Sequence, residues 1–129
     1  MKNMFILISH NLTPEQEEDA KRNLQVDKFI YVKNSIWQNI PPENEKILDL
    51  LDELKKLILE DAKKGDLLLV QGDFGATYIM VNFAFQNGLV PIYATSKREV
   101  KEKRENDQVV TIRTFKHIRF RKYENVHKN

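Results

Sequence analysis

The sequence predicts an α/β domain, a mainly parallel sheet flanked by helices and extended at its C-terminal end by an antiparallel basic hairpin. Three observations predict it. Short apolar runs of strand length alternate with stretches at helical spacing, the βαβ order of a parallel sheet. The runs are continuous in apolar residues, as in strands covered on both faces. Beyond Glu99 the pattern changes to two Lys- and Arg-rich runs around a polar turn. The 129 residues are read as one domain, 1–129, long enough to bury a core and too short for two.

Each element has its own local reason. Met4 to Ser9 (M-F-I-L-I-S) is an apolar run ending in a small polar residue, a buried central strand. Thr13-Pro14-Glu15-Gln16 opens a helix: Thr13 caps it, Pro14 suits the first helical position and Gln16 completes a capping box. Lys28 to Val32 is a second strand. Pro41-Pro42-Glu43 is expected to start the longest helix, running to about Lys64, because Ile47, Leu48, Leu51, Leu54, Leu57 and Ile58 recur at helical spacing. Gly65 stops it where a left-handed residue is wanted.

Asp66 to Val70 is a third buried strand, followed by the loop Q-G-D-F-G-A-T and an apolar helix from Tyr78 to Gln86. Val90 to Ala94 is a fourth strand. The order βαβαβαβ implies a Rossmann-like sheet. Val100 to Lys103 and Val109 to Arg113 flank Glu105-Asn106-Asp107 as a hairpin, and Phe115 to Tyr123 continues in alternation.

Composition narrows the class. With no cysteine, disulfides and thiolate metal sites are excluded. No apolar run is long enough for a bilayer, so no membrane partner is expected. Met4 to Ile8 leads straight into a turn without a cleavage site, so it reads as a strand and not a signal peptide, and a cytoplasmic location is expected. Residues 1–96 hold 10 Lys/Arg against 14 Asp/Glu, whereas residues 97–129 hold 11 against 5. A basic third on a mildly acidic body fits an anionic partner, although a solvated charged tail has the same composition.

In open α/β sheets ligands bind beyond the carboxyl ends of the strands, where strand order reverses. Three polar clusters fall at such ends: Ser9-His10-Asn11, Gln71 to Thr77, and Thr95-Ser96-Lys97-Arg98. In Gln71-Gly72-Asp73-Phe74-Gly75-Ala76-Thr77 the glycines let backbone N–H groups approach an anion, the helix offers its positive end and Thr77 adds a hydroxyl. A tight turn capped by Asp73 would use the same residues. The Lys-Ser/Thr pair of a phosphate loop and the full dinucleotide fingerprint are both missing. His10 is placed to exchange protons at that edge. His117 and His127 have no partners at metal-ligand spacing, so no metal site is expected.

The segments M-F-I-L-I-S-H-N-L-T-P-E-Q, Q-G-D-F-G-A-T-Y, P-I-Y-A-T-S-K-R-E and F-K-H-I-R-F-R-K-Y resemble a small stand-alone family of CRISPR-associated proteins of the Csx type. That family accompanies type III CRISPR systems and is similar to the CARF (CRISPR-associated Rossmann fold) domains. The resemblance covers nearly the whole chain and implies a CARF-like fold. It also implies a ring nuclease, which binds a cyclic oligoadenylate second messenger and degrades it, ending the antiviral signal. Cyclic tetra-adenylate is the expected ring, and a homodimer with the ring across its twofold axis is the expected assembly. Unlike larger CARF proteins, this chain shows no appended effector domain, and ring nucleases share no single catalytic residue.

The implied chemistry is metal-free attack of a ribose 2′-OH on the neighbouring phosphate, leaving a 2′,3′-cyclic phosphate and a 5′-OH. The implied catalytic set is His10, Asp73, Lys97 and Arg98, with His10 ranked above Asp73 as the base and the two cations neutralising developing charge. Ser9, Gln71, Gly72, Phe74, Gly75, Ala76, Thr77, Thr95 and Ser96 are the implied ligand-binding residues. No cofactor is expected, nor a stable DNA or long-RNA partner. Two other readings stay open: a non-catalytic binder that sequesters the same ring, and an RNA-binding module using the basic hairpin from Lys97 to Lys128.

Overall fold

The computed structural model of the chain describes residues 1–127. The expected hairpin end at Lys128 lies outside the described residues. Every side chain of β1 (Asn3–Leu7) is buried, so this strand needs a neighbour on each edge and a layer on each face. It pairs in parallel with β2 (Lys28–Tyr31) on one side and with β3 (Leu67–Val70) on the other. β3 pairs in parallel with β4 (Val90–Glu105), and β4 pairs antiparallel with β5 (Gln108–Lys122). The sheet order is β2-β1-β3-β4-β5.

Strand alternation divides the core in two. Phe5, Leu7, Leu68 and Val70 meet Leu54 and Ile58 of α2 (Asp52–Asp61) and Ala76, Met80 and Phe83 of α3 (Phe74–Gln86), with Trp37 at the margin. Met4, Ile6, Leu67, Leu69, Ile92 and Phe120 face the other way, onto Ala20 of α1 (Pro14–Asn23) and onto Leu12 and Val26. Each large apolar side chain so buried contributes roughly 1.5–3 kcal/mol relative to exposure. The α1 start is as the sequence predicts: Thr13 Oγ1 accepts from the Gln16 N–H at 3.2 Å and Gln16 Oε1 accepts from the Thr13 N–H at 3.0 Å.

The long helix expected from Pro41 to Lys64 is shorter. A 3-10 turn covers Leu48–Leu51 and α2 covers only Asp52–Asp61. Residues 41–47 form turns, with Asn44 N–H bonded to the Pro41 carbonyl, and Ile47 packs on the core from outside the helix. No side chain caps the start. At the other end, Ala62 is extended and the buried Asp66 carboxylate accepts the N–H of Lys63 at 2.9 Å and of Asn3 at 3.1 Å. The helix therefore ends at Asp61 and not at Gly65, which keeps the expected left-handed conformation, φ +94°, in the turn that leads to β3.

Smaller differences follow the same logic. β1 ends at Leu7 and not Ser9, because the chain bends where the sheet ends. β4 does not stop at Ala94 but continues to Glu105, so the hairpin grows directly from the sheet. Asn106 and Asp107 turn it with φ of 49° and 65°, the left-handed pair that a two-residue hairpin connection requires. Thr95 pairs with Arg119 and Ser96 with His117, which leaves Ile118 as a bulge. Among the described residues no helix is long and apolar enough to cross a membrane.

Candidate functional site

From β1 the chain winds first to β2 on one side and then to β3 on the other, so strand order reverses between β1 and β3. A cleft of ≈ 530 Å³ opens at the carboxyl ends of β1 and β3 and beside Ala94 to Ser96 within β4, on the α1 face of the sheet. His10, Gln71, Thr95 and Ser96 line it together, and Phe115 and His117 close it from the hairpin base. Thr13, Glu15 and Gln16, at the start of α1, form the opposite rim. The three strand-end clusters therefore contribute to one cleft, each in part.

Gln71 ties the site together. Its N–H donates to the Leu7 carbonyl at 3.2 Å, its Oε1 accepts from the Ala94 N–H at 2.9 Å, and its carbonyl accepts from Trp37 Nε1 at 3.1 Å. One residue thus ties the ends of β1 and β3 to β4 at Ala94 and to the loop that carries Trp37. Its amide N–H₂ is left as the donor that can address a ligand. His10 is exposed, and its Nδ1 lies 2.9 Å from the Asn11 carbonyl. With a carbonyl as partner, Nδ1 is the protonated nitrogen and Nε2 carries the lone pair. The Thr95 hydroxyl donates to the Arg119 carbonyl at 3.0 Å, so its part in the cleft is steric more than polar.

The rest of Gln71 to Thr77 goes elsewhere. α3 begins at Phe74, so Gly75, Ala76 and Thr77 form its first turn and not an open loop. Asp73 is its N-cap, with Oδ2 accepting from the Ala76 N–H at 3.0 Å. A Cβ on Gly72 would lie 3.0 Å from the Trp37 ring, so the glycine answers to packing. Ala76 is buried against the other sheet face, and Thr77 Oγ1 is buried with no hydrogen-bond partner. Phe74 stands 93% exposed. Gly72, Asp73, Phe74, Gly75, Ala76 and Thr77 are all absent from the cleft lining, as is Ser9.

Lys97 and Arg98 are exposed on the hairpin. Directly paired residues of an antiparallel ladder share a face, so Arg98 stands beside Phe115 at the outer rim of the cleft, and Lys97 with Lys116 faces away. Continuing outward, Val100 with Arg113 and Arg104 with Val109 share the Arg98 face. The cleft lining itself contains neither Lys nor Arg.

The sequence reading missed a buried pair behind the cleft. His117 Nε2 lies 2.7 Å from Asp19 Oδ2, with side chains only 8% and 16% exposed. The pair clamps the hairpin base onto α1. Burial raises the Asp19 carboxyl, but hydrogen bonds from Asn23 and His117 and the charges of His117 and Arg119 outweigh it and hold the group below its ordinary value. The two residues are 98 positions apart, and only the Ile118 bulge turns His117 to this face, so no local signal could have paired them. Among the described residues no group of three or more His, Asp or Glu side chains is placed to hold a metal ion.

A family model described as the Uncharacterized protein MJ1673 family matches residues 2–121. A protein of Methanocaldococcus jannaschii with the name Uncharacterized protein MJ1673 is 49% identical over 126 residues, covering 95% of this chain and 98% of that one. No solved structure matches the chain.

Proposed function

We propose that this chain, which belongs to the MJ1673 family, is a ring nuclease of type III CRISPR defence. It binds a cyclic oligoadenylate, cyclic tetra-adenylate first among them, and cleaves it without a metal. The observation that carries the reading is the cleft at the β1/β3 reversal, with His10 on its wall. Ligands of open α/β sheets take that position, and a cavity of ≈ 530 Å³ suits one nucleotide of a larger ring. The β2-β1-β3-β4 order of parallel strands supports a CARF-like Rossmann identity in the same way.

The cleavage step is a transesterification. The ribose 2′-O–H loses its proton to His10 Nε2 as the oxygen attacks the adjacent phosphorus in line. The P–O5′ bond breaks, the 5′-oxygen takes a proton from solvent and His10 returns the one it took to solvent, so no water is consumed overall. The Asn11 carbonyl on Nδ1 keeps Nε2 as the basic nitrogen and steadies the imidazolium that forms. Gln71 N–H₂ and the Ser96 hydroxyl are the donors available to phosphate, and Phe115, 73% exposed, offers a face on which adenine can stack. Arg98, beside Phe115 at the rim, supplies a guanidinium for the developing charge.

One observation favours the non-catalytic binder: the lining contains neither Lys nor Arg, so binding asks less of this cleft than transition-state stabilisation does. Turnover separates the two readings. Purified protein incubated with cyclic tri-, tetra- and hexa-adenylate in EDTA is expected to convert the tetramer ring to linear fragments ending in cyclic phosphate. Tight binding with no conversion makes it a binder. Activity that vanishes in EDTA and returns with a divalent ion removes the metal-free mechanism.

A further inference from the structure

His10 stands on a boundary. Besides the cleft it lines a second cavity of ≈ 490 Å³, between the carboxyl ends of β1 and β2. Ile8 and His10 are the two residues the cavities share. The second cavity has a different chemistry from the first, because it includes a cation. Lys33 lines it with Asn11, Tyr31, Asn34, Ser35 and Gln38.

We infer that this second cavity is a nucleotide subsite, adjoining the first across His10, so that one protomer holds two consecutive nucleotides of the ring. The inference rests on the proposed function and extends it to Tyr31, Lys33, Ser35 and Gln38, which join Ser9 of the expected binding set in this cavity. Its parts match a nucleotide one by one. Tyr31 is 37% exposed, and its hydroxyl accepts from the Leu12 N–H at 3.0 Å, which holds the ring as a fixed platform for a base. Gln38 and Ser35 present an amide and a hydroxyl to the edges of a purine. The Lys33 ammonium belongs to none of the three ion pairs among the described residues and is available to a phosphate. Asn34 is committed to the loop, its Oδ1 accepting from the Ile36 N–H at 2.7 Å, and so shapes the cavity.

The geometry also gives His10 a reason for its place. A phosphodiester joins two nucleotides, so a base that serves the 2′-OH of one and the phosphate beyond it belongs at a junction of subsites and not in the middle of one. A twofold pair of such protomers offers two subsites each, four in all, one for every nucleotide of cyclic tetra-adenylate.

The test measures calorimetric affinity for cyclic tetra-adenylate and single-turnover cleavage on the wild type and on Lys33→Ala, Gln38→Ala and the double variant. Melting temperatures on the same samples establish that the exposed substitutions leave the fold intact. Lys33→Ala is expected to weaken ring binding roughly tenfold or more, the loss of one charge-assisted bond, and the double variant to weaken it further. If wild type binds and cuts the ring and the variants match it, the second cavity is not a subsite and the ring nuclease reading stands. If wild type neither binds nor cuts any ring, the functional reading falls and the subsite falls with it.

Discussion

At the scale of single residues, His10 and Arg98 are the pair that most sharply separates proton transfer from charge neutralisation. His10 is exposed and held only through Nδ1, so replacing it disturbs little packing. His10→Ala is expected to slow single-turnover cleavage by roughly two to four powers of ten while affinity for the ring stays near wild type. Arg98→Ala removes a charge that attracts substrate as well as transition state, so binding and turnover should fall together. A His10→Ala variant that cuts at the wild-type rate leaves positioning as the whole mechanism. Asp73, ranked second as base from sequence, is already occupied as a helix cap through Ala76 N–H, which removes the reason for that rank.

At the scale of elements, the segment from β3 into α3 carries two glycines with opposite structural meaning. Gly72 meets the Trp37 ring at 3.0 Å, and Trp37 is itself 5% exposed, so neither can yield freely. Gly75 has its nearest contacts at 3.5 Å, to Asp73 and Ile47, and sits in the first turn of a helix. Gly72→Ala is therefore expected to cost about 1–3 kcal/mol in urea unfolding, through overpacking. Gly75→Ala should be neutral or stabilising by up to about 1 kcal/mol. A Gly72→Ala variant as stable as the wild type would overturn the view that contact with Trp37 fixes this glycine.

For the whole molecule, the dimer that the proposed function calls for has a candidate face on the hairpin. The hairpin carries Val100, Val109 and Phe115, 54%, 58% and 73% exposed, on the same face as Arg98, Arg104 and Arg113. That face continues the wall of a cleft that has no Lys or Arg of its own, and residues 1–96 carry an excess of Asp and Glu. A twofold dimer that brings one protomer's arginines toward the other's acidic body would complete both sites. Light scattering is expected to report two chains per particle, and cyclic tetra-adenylate to raise the melting temperature through mass action on the native state. A monomer with and without the ring would contradict the assembly.

The sequence by itself determined the elements whose causes are local. The capping box at Thr13, the Asn106-Asp107 turn and the buried runs of β1 and β3 each rest on a few neighbouring residues, and each lies within the segment the pattern marked. It also brought His10 and Gln71 to one edge, since strand ends in a parallel sheet share a side, whereas Thr95 and Ser96 reach the same cleft from within β4. Only the tertiary structure decided what depends on distant partners. Ile47 shows the helical spacing yet lies outside the helix, because facing the core satisfies that spacing from a loop as well as from a turn of α2. Gly72 is set by Trp37, the end of α2 by Asp66, and the face of His117 by one bulged residue that brings it to Asp19. In each case the energy comes from a contact between segments far apart in the chain, and periodicity along one segment carries no record of it.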